Sequence, residues 1–361
     1  MKAPVSYLST AEAPSVVEDL IRQAEAAGAS DIHVQMREGL GEVAFRLNGL
    51  LAPVTTLPGE LAERVVGRFK FLARLKTYQE SLPQDGRISA ADAKAQHDLR
   101  VATYPTVTGE KLVVRLFQTS IVKGLGELGL AQAACAELER FLRQPAGLLL
   151  LTGPAGSGKT TTIYACLRHL AEQGGRHIIT VEDPVEQVVP GVMQTQVNDA
   201  LGLDFAKAAR HLLRQDPQVL VLGEIRDEAT ASLAVRAALT GHQVISTLHA
   251  GSCRGVCERL LVMCPDHSAV AAAVELVLNQ RLIRRVCAAC AGQGCAGCVG
   301  TGYAGRVPLV EWLRASEELR RQLRVGDASA VVAQNELATA ARGLVFQGVT
   351  NDAEIERLFG S

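Results

Sequence analysis

Two short stretches of this 361-residue chain hold residue types that could do chemistry. The first is Gly153-Pro154-Ala155-Gly156-Ser157-Gly158-Lys159-Thr160. Its glycine spacing lets backbone N–H groups turn inward around phosphate oxygens. Lys159 would reach the β- and γ-phosphates of a nucleotide, the Thr160 hydroxyl would hold Mg²⁺, and Thr161 continues the run. The second stretch, Cys287 to Cys298 (CAACAGQGCAGC), gathers four of the nine cysteines as Cys-x-x-Cys-x4-Cys-x-x-Cys. Each pair can present two thiolates from one tight turn, and Zn²⁺ favours four sulfurs in a tetrahedron. A gap of four residues spans about 13 Å, enough to carry the chain around one ion. A redox dithiol or unliganded thiols are the alternatives. No catalytic base or open coordination position is evident, so a structural zinc on Cys287, Cys290, Cys295 and Cys298 is preferred.

Carboxylates supply the next layer. Glu224 in VLVLGEIRD ends an apolar strand and suits the task of polarising a water that attacks phosphate. Glu182, Asp183 and Glu186 in TVEDPVE could supply Mg²⁺ or water contacts; helix caps or surface charges are the alternative. Many P-loop enzymes carry Asp-Glu at the end of this strand, whereas this chain has Gly223-Glu224. The metal would then rely on Thr160, phosphate oxygens and a carboxylate from TVEDPVE. His242 and His249 in GHQVISTLHA are equally readable as satisfied core groups or as functional ones.

The elements that must position these residues follow from pattern. The loop lies between the strand-like LLLLT and the helical TTIYACLRHLAEQ, the context a phosphate loop requires. The apolar strands GLLLL, HIITVE, VLVLGEI and QVISTLHA alternate with helices and predict a parallel sheet covered on both faces. Upstream, Pro14 opens a helix with Val16, Val17, Leu20, Ile21 and Ala24 on one face and Gly28 as its stop. SDIHVQ and EVAFRLNGLLAPV predict strands turning at Asn48-Gly49, a second helix covers Gly59 to Leu75, and HDLRVATY and KLVVRLF add two more strands. The expected division is an α+β domain over 1–118, a Gly-dotted linker over 119–130, and an α/β domain over 131–361. The last includes the cysteine element 287–298 and C-terminal helices over 315–361, where Leu319, Leu323, Leu337, Leu344 and Leu358 are the core contacts.

Composition sets the outer limits. Lys and Arg number 37 against 38 Asp and Glu, so no global basic field argues for nucleic acid or anionic lipid. The N-terminus has no charged head followed by an apolar run, so no signal peptide is expected. SAVAAAVELVLN is too short to span a bilayer and contains Glu275. Cys135, Cys166, Cys253, Cys257 and Cys264 lack a disulfide spacing and read as core or surface thiols.

From about Pro14 to Leu313, the stretches GPAGSGKTTTIY, TVEDPVE, LRQDPQVLVLGEIRDEATASLAVRAALTGHQVISTLHA and NQRLIRRVC resemble the type II secretion and type IV pilus assembly ATPases. SDIHVQ, FRLNG, PQDGRIS and HDLRVATYPTVTGEKLVVRLF resemble the same family's N-terminal half. The resemblance implies a RecA-like motor half, ATP hydrolysis at subunit boundaries of a homo-hexamer, and a cytoplasmic place at the inner face of the bacterial inner membrane. Its mechanical output would go to a platform protein there. TVEDPVE matches the family's Asp box and GEIRD its Walker B segment, with Glu224 the catalytic carboxylate; His249 falls in the His box and would read nucleotide state. Arg46, Arg87, Arg100 and Arg115 sit in the motifs that supply arginine contacts to nucleotide. Arg87, Arg100 and Arg115 are the favoured three, with structural ion pairs as the alternative. The tetracysteine element is carried by assembly enzymes and generally lacked by retraction enzymes. In this chain, only Ala291 to Gly294 separate its cysteine pairs, a shorter loop than usual. Few residues precede the first helix, so a form without the family's further docking domain is expected. A retraction motor and a nucleotide-controlled scaffold are the rival functions.

Overall fold

The computed structural model describes residues 7–116, 124–329 and 331–360. They form two compact units, one from the described residues up to 116 together with 284–306, the other from those between 124 and 283 together with those from 307 to 360. The linker expected at 119–130 falls partly outside the described residues.

In the first unit, α1 (Ala13–Ala26) opens with a proline and buries Val16, Val17, Leu20 and Ile21. The strands are β1 (Asp31–Arg37), β2 (Leu40–Leu47) and β3 (Leu50–Pro58). Asn48 and Gly49 both have positive φ between the last two, which a tight hairpin requires. Helix α2 (Gly59–Leu72), strand β4 (Gln84–Ile88), the single turn α3 (Ala90–Ala93), β5 (Leu99–Thr106) and β6 (Gly109–Leu116) follow. The sheet order is β3-β2-β1-β6-β5-β4, with antiparallel pairing throughout. Its strands alternate: Ile32, Val34, Val43, Phe45, Leu112 and Val114 join a core with both helices, leaving the other face to polar residues. Lys70 and Glu110 are buried together at 3.0 Å.

In the second unit, α4 (Gln132–Leu142) leads to β7 (Gly147–Thr152), every residue of which is buried. Helix α5 (Lys159–Gln173), β8 (Ile178–Glu182), β9 (Val192–Gln196) and α6 (Phe205–Leu212) come next. They are followed by β10 (Val219–Leu222), α7 (Glu228–Leu239), β11 (Gln243–Thr247), α8 (Cys253–Met263) and α9 (His267–Ala273). Long strands β12 (Val274–Val286) and β13 (Tyr303–Arg314) precede α10 (Glu317–Arg324), α11 (Leu337–Phe346) and α12 (Asp352–Phe359). The sheet order is β13-β12-β7-β11-β10-β8-β9. The ladders from β12 through β9 are parallel. The four expected strands are the centre of this sheet; β9, β12 and β13 extend it.

The apolar run SAVAAAVELVLN is half helix and half strand, divided between α9 and β12. Among the described residues no helix is long and apolar enough to cross a membrane. Leu319, Leu323 and Leu337 are buried, while Leu344 and Leu358 pack at the margin of a small cluster around Ile283 and Leu309. The cysteine segment, grouped by sequence with the α/β domain, clusters with the first unit, because the tip of the β12–β13 excursion places Val299 against that unit's core.

Candidate functional site

The glycine loop runs from the carboxyl end of β7 into α5, where unsatisfied N–H groups and the helix dipole favour an anion. Two glycines have no freedom to be anything else. Gly153 sits at φ 135°, and a Cβ there would lie 2.2 Å from the Gln280 carbonyl oxygen. Gly158 sits at φ 92°, and its Cβ would meet Gln280 Nε2 at 2.7 Å. Lys159 Nζ donates to the carbonyls of Gly153 (2.8 Å) and Pro154 (3.1 Å), so its charge is held over the loop. Burial lowers its pKa, and the Glu224 charge works against that shift. Ser157 Oγ is buried with no protein partner, and Thr160 stands exposed in the first turn of α5. Backbone amides, a lysine, an unpartnered buried hydroxyl and an exposed threonine form a donor set that fits a nucleotide's phosphates and a hard cation.

β7, β11, β10 and β8 are neighbours, so the segments at their carboxyl ends converge on one crevice, the usual ligand position in such sheets. Glu224 follows β10. Its Oε1 lies 3.1 Å from His249 Nε2, and its Oε2 accepts from Arg226 Nε at 2.8 Å. Arg226 also reaches Asp183 at 3.5 Å and covers the Phe205 ring. Thr247 Oγ1 donates to Gly223 O (2.8 Å), pinning the strand end that presents Glu224. A Cβ at Gly223 would lie 3.2 Å from the Val181 carbonyl, so the position where many P-loop enzymes carry Asp is crowded.

Glu182 is differently engaged. It accepts from the Tyr164 hydroxyl, from Thr180 Oγ1 (2.5 Å) and from Gln194 Nε2 (2.9 Å). Tyr164 in turn accepts from the backbone N–H groups of Glu186 (3.1 Å) and Gln187 (3.2 Å). The Glu182 carboxylate therefore ties α5 to the TVEDPVE loop. Glu186 is exposed by surface area, yet partial desolvation followed by the Glu182 charge raises its pKa. His242 Nδ1 lies 2.9 Å from the Ala237 carbonyl, at the C-terminal end of α7.

The N-terminal arginines, described within their own unit, share one line. Strand register sets Arg87 opposite Arg100, Arg100 opposite Arg115, Arg115 opposite Asp31, and Asp31 opposite Arg46. Directly opposite residues share a face, so one row across five strands carries four guanidinium groups and a single carboxylate. Asp31 is buried and accepts from Ser30 Oγ (2.8 Å), while Arg115 Nε lies 3.1 Å and Arg46 Nε 3.5 Å away. Arg87 pairs with Asp98 at 3.3 Å. Like charges set opposite one another oppose folding, so such a row suits a surface that meets an anion.

The four cysteine sulfurs all lie within 4.8 Å of one another. Cys287–Cys295, Cys290–Cys298 and Cys295–Cys298 are separated by 3.9, 3.8 and 3.7 Å. A tetrahedron with Zn–S bonds of about 2.3 Å has edges of about 3.8 Å, so the donor set fits zinc. Gly302 sits at φ 75°, with its would-be Cβ 2.3 Å from the Gly292 carbonyl, which fixes how tightly the loop closes. Burial opposes ionisation of Cys298, but backbone N–H groups of Cys295 and Gly302 outweigh it and bring the thiol down to about 6. Among the other cysteines, burial pushes up the thiols of Cys166, Cys253, Cys257 and Cys264, as inert core groups require.

Sequence reasoning did not single out Asp31, Tyr164, Gln194, Arg226 or Gln280. Asp31 stands inside the quoted SDIHVQ stretch, and Gln280 is a polar residue in an apolar strand. Tyr164 carried no signal beyond its helical place.

The family model described as "Type II/IV secretion system protein" matches residues 9–357. The type II secretion system protein HxcR of Pseudomonas aeruginosa is 40% identical over 94% of this chain and 73% of its own length. The putative type II secretion system protein E of Escherichia coli is 41% identical, over 78% of this chain and 57% of that protein. The type IV pilus assembly ATPase PilB of Thermus thermophilus is also 41% identical over 78% of this chain, but over only 32% of itself. The chain thus spans between a third and three quarters of the length of these curated relatives. Among solved structures, the Legionella pneumophila ATPase DotB matches at TM-score 0.72 and 20% identity, over 98% of this chain and 97% of that one. The pilus retraction motor PilT with bound ADP matches at 0.65 and 24%, over 94% and 96%. At those identities the likeness is one of fold.

Proposed function

Since the chain belongs to the type II/IV secretion system protein family, we propose that it is an ATP-hydrolysing hexameric motor. It would drive assembly of a type II secretion pseudopilus or a type IV pilus, working on a platform protein at the inner membrane. The observation that carries this reading is the crevice at the carboxyl ends of β7, β11, β10 and β8. There Lys159 and the loop amides, the Glu224 carboxylate and His249 meet in one unit.

The loop amides and Lys159 bind and orient the phosphates; Thr160 would hold Mg²⁺, which would supply positive charge against the charge on the transferring phosphoryl group. Glu224 orients and deprotonates the attacking water. His249 and Arg226 fix the carboxylate at both oxygens, and through Glu224 His249 reads whether the γ-phosphate is present. Glu182 holds the TVEDPVE loop in register, leaving Asp183 and Glu186 as the carboxylates that face metal or water. Arg87, Arg100 and Arg115 stabilise transition-state charge at a site completed by a neighbouring subunit. Cys287, Cys290, Cys295 and Cys298 would hold zinc and so tie the two ends of the hairpin tip together, and this element favours assembly over retraction.

A motor whose site is completed between subunits hydrolyses ATP faster per chain as concentration or forced oligomerisation fills the ring. Turnover measured across a dilution series, alongside mass by light scattering, checks this. Undiminished turnover by a proven monomer overturns the hexameric reading, and no turnover in a formed ring favours the scaffold.

A further inference from the structure

Gln280 lies on β12 and only 3% of it is exposed. Both ends of its side-chain amide are spent on the phosphate loop and the helix it opens. Nε2 donates to the Ser157 carbonyl at 2.9 Å, and Oε1 accepts from Thr162 Oγ1 at 2.9 Å. The two partners fix which way the amide faces. Its backbone closes on the loop as well, through the carbonyl that leaves no room for a Cβ at Gly153.

The physical consequence concerns one peptide plane. In a trans peptide the C=O and N–H point in opposite directions. Anchoring the Ser157 carbonyl towards β12 therefore aims the Gly158 N–H away from β12, on the open side of the loop. Gly158 follows directly and stands at φ 92°. Glycine tolerates φ of either sign, so the Ser157–Gly158 plane could turn over at little steric cost. A turned plane would present a carbonyl oxygen where the loop should offer a donor to phosphate.

We infer that Gln280 is a positioning residue of the nucleotide site, holding the Ser157–Gly158 peptide in its anion-binding orientation from a neighbouring strand. The inference rests on the nucleotide reading of the loop. It adds a residue outside the loop, more than a hundred positions downstream, and a reason why that position must carry a donor and an acceptor together.

The test is nucleotide affinity of the full-length chain, measured with ATP and ADP by calorimetry. Gln280→Met keeps the bulk and removes the donor. ATP affinity should fall by about tenfold, the scale expected when a buried polar group loses its partner, with KM raised more than kcat falls. Gln280→Glu separates positioning from packing. Ionised, it sets an acceptor against the Ser157 carbonyl; protonated, it regains the donor. Its deficit relative to wild type should therefore shrink between pH of about 8 and about 5.5, since burial raises a carboxyl pKa, while the Gln280→Met deficit stays flat. Thr162→Val removes the other partner and should cost less, and its loss should not add to that of Gln280→Met. Equal affinity in wild type and Gln280→Met, or a deficit in Gln280→Glu that ignores pH, overturns the inference. Failure of the wild-type chain to bind nucleotide, or unchanged binding in Lys159→Ala, sinks the underlying reading of the loop instead.

Discussion

The phosphate loop and the arginine row are two ways of preparing for negative charge, and they differ in what holds them. The loop offers backbone N–H groups and one lysine, and buried side chains hold the structure around it: Gln280 beneath the loop, Thr247 at Gly223, and Glu182 and Tyr164 across to the next loop. The row offers four long guanidinium groups on one sheet face, and the buried carboxylate of Asp31 pairs with two of them, Arg46 and Arg115. A cradle of backbone dipoles loses little entropy on meeting phosphate because its geometry is set by folding. An arginine on an exposed stem keeps its reach and must be ordered when it binds. The first arrangement suits gripping the phosphates through a hydrolysis cycle. The second suits contact that is made and broken.

That contrast is sharpest in the crevice itself. Glu224→Gln keeps the shape of the group that His249 and Arg226 grip but removes the charge proposed to activate water. Turnover should fall by about a hundredfold or more, while ATP affinity stays within about threefold of wild type. Steady-state hydrolysis beside calorimetric binding measures both. Turnover close to wild type would take Glu224 out of its role.

The sequence disclosed the two regions unequally, for a physical reason. A phosphate loop is local: eight consecutive residues, the strand before and the helix after contain most of what it needs. The arginines are legible one by one, yet their alignment depends on four antiparallel ladders in a given register. A slip of one residue in any ladder would send an arginine to the core face. Asp31 shows the same limit. It precedes Ile32, and alternation places it on the polar face, but its burial comes from Arg46 and Arg115 on strands either side. β9, β12 and β13 escaped notice because β9 lacks an apolar run and β12 continues the apolar pattern of the helix before it. Gln280 could be found only with β7 and β12 side by side.

The row can be broken at its members or at its anchor. Arg100→Ala removes one guanidinium and should lower turnover by about tenfold with ATP affinity little changed, since it would act on charge that appears in the transition state. Asp31→Asn leaves every guanidinium in place but takes away the one buried negative charge among them. Turnover should fall less, by about threefold, and stability by about 1–3 kcal/mol, as when a buried charged partner is lost. Denaturant unfolding beside the same kinetic assay separates the two. If Asp31→Asn costs stability but leaves turnover untouched, the row is a structural ladder and its arginines are not aligned for catalysis.

The tetracysteine tip should give the smallest effect on turnover, and for that reason it tests whether the phosphate loop is self-sufficient. Zinc, by the spacing of its four sulfurs, would close a loop of Gly292, Gly294 and Gly302 that has no apolar core of its own beyond Val299. Structural sites of this kind contribute folding free energy, because the assembled ligands do not exist in the unfolded chain. Protein purified without added zinc should carry one equivalent per chain by elemental analysis. Replacing Cys287 and Cys290 with Ser should abolish that content and expose the tip to proteolysis. ATP affinity of the double variant should remain within about twofold, since Gly153–Thr160 and Glu224 belong to the other compact unit. One zinc per wild-type chain, with a large loss of nucleotide affinity in the zinc-free double variant, would mean that β12 transmits the state of its far end to Gln280, making the loop's rigidity conditional on the cysteine element. A wild-type chain without zinc, with four reactive thiols and an unchanged melting temperature, would instead return the cluster to the redox reading.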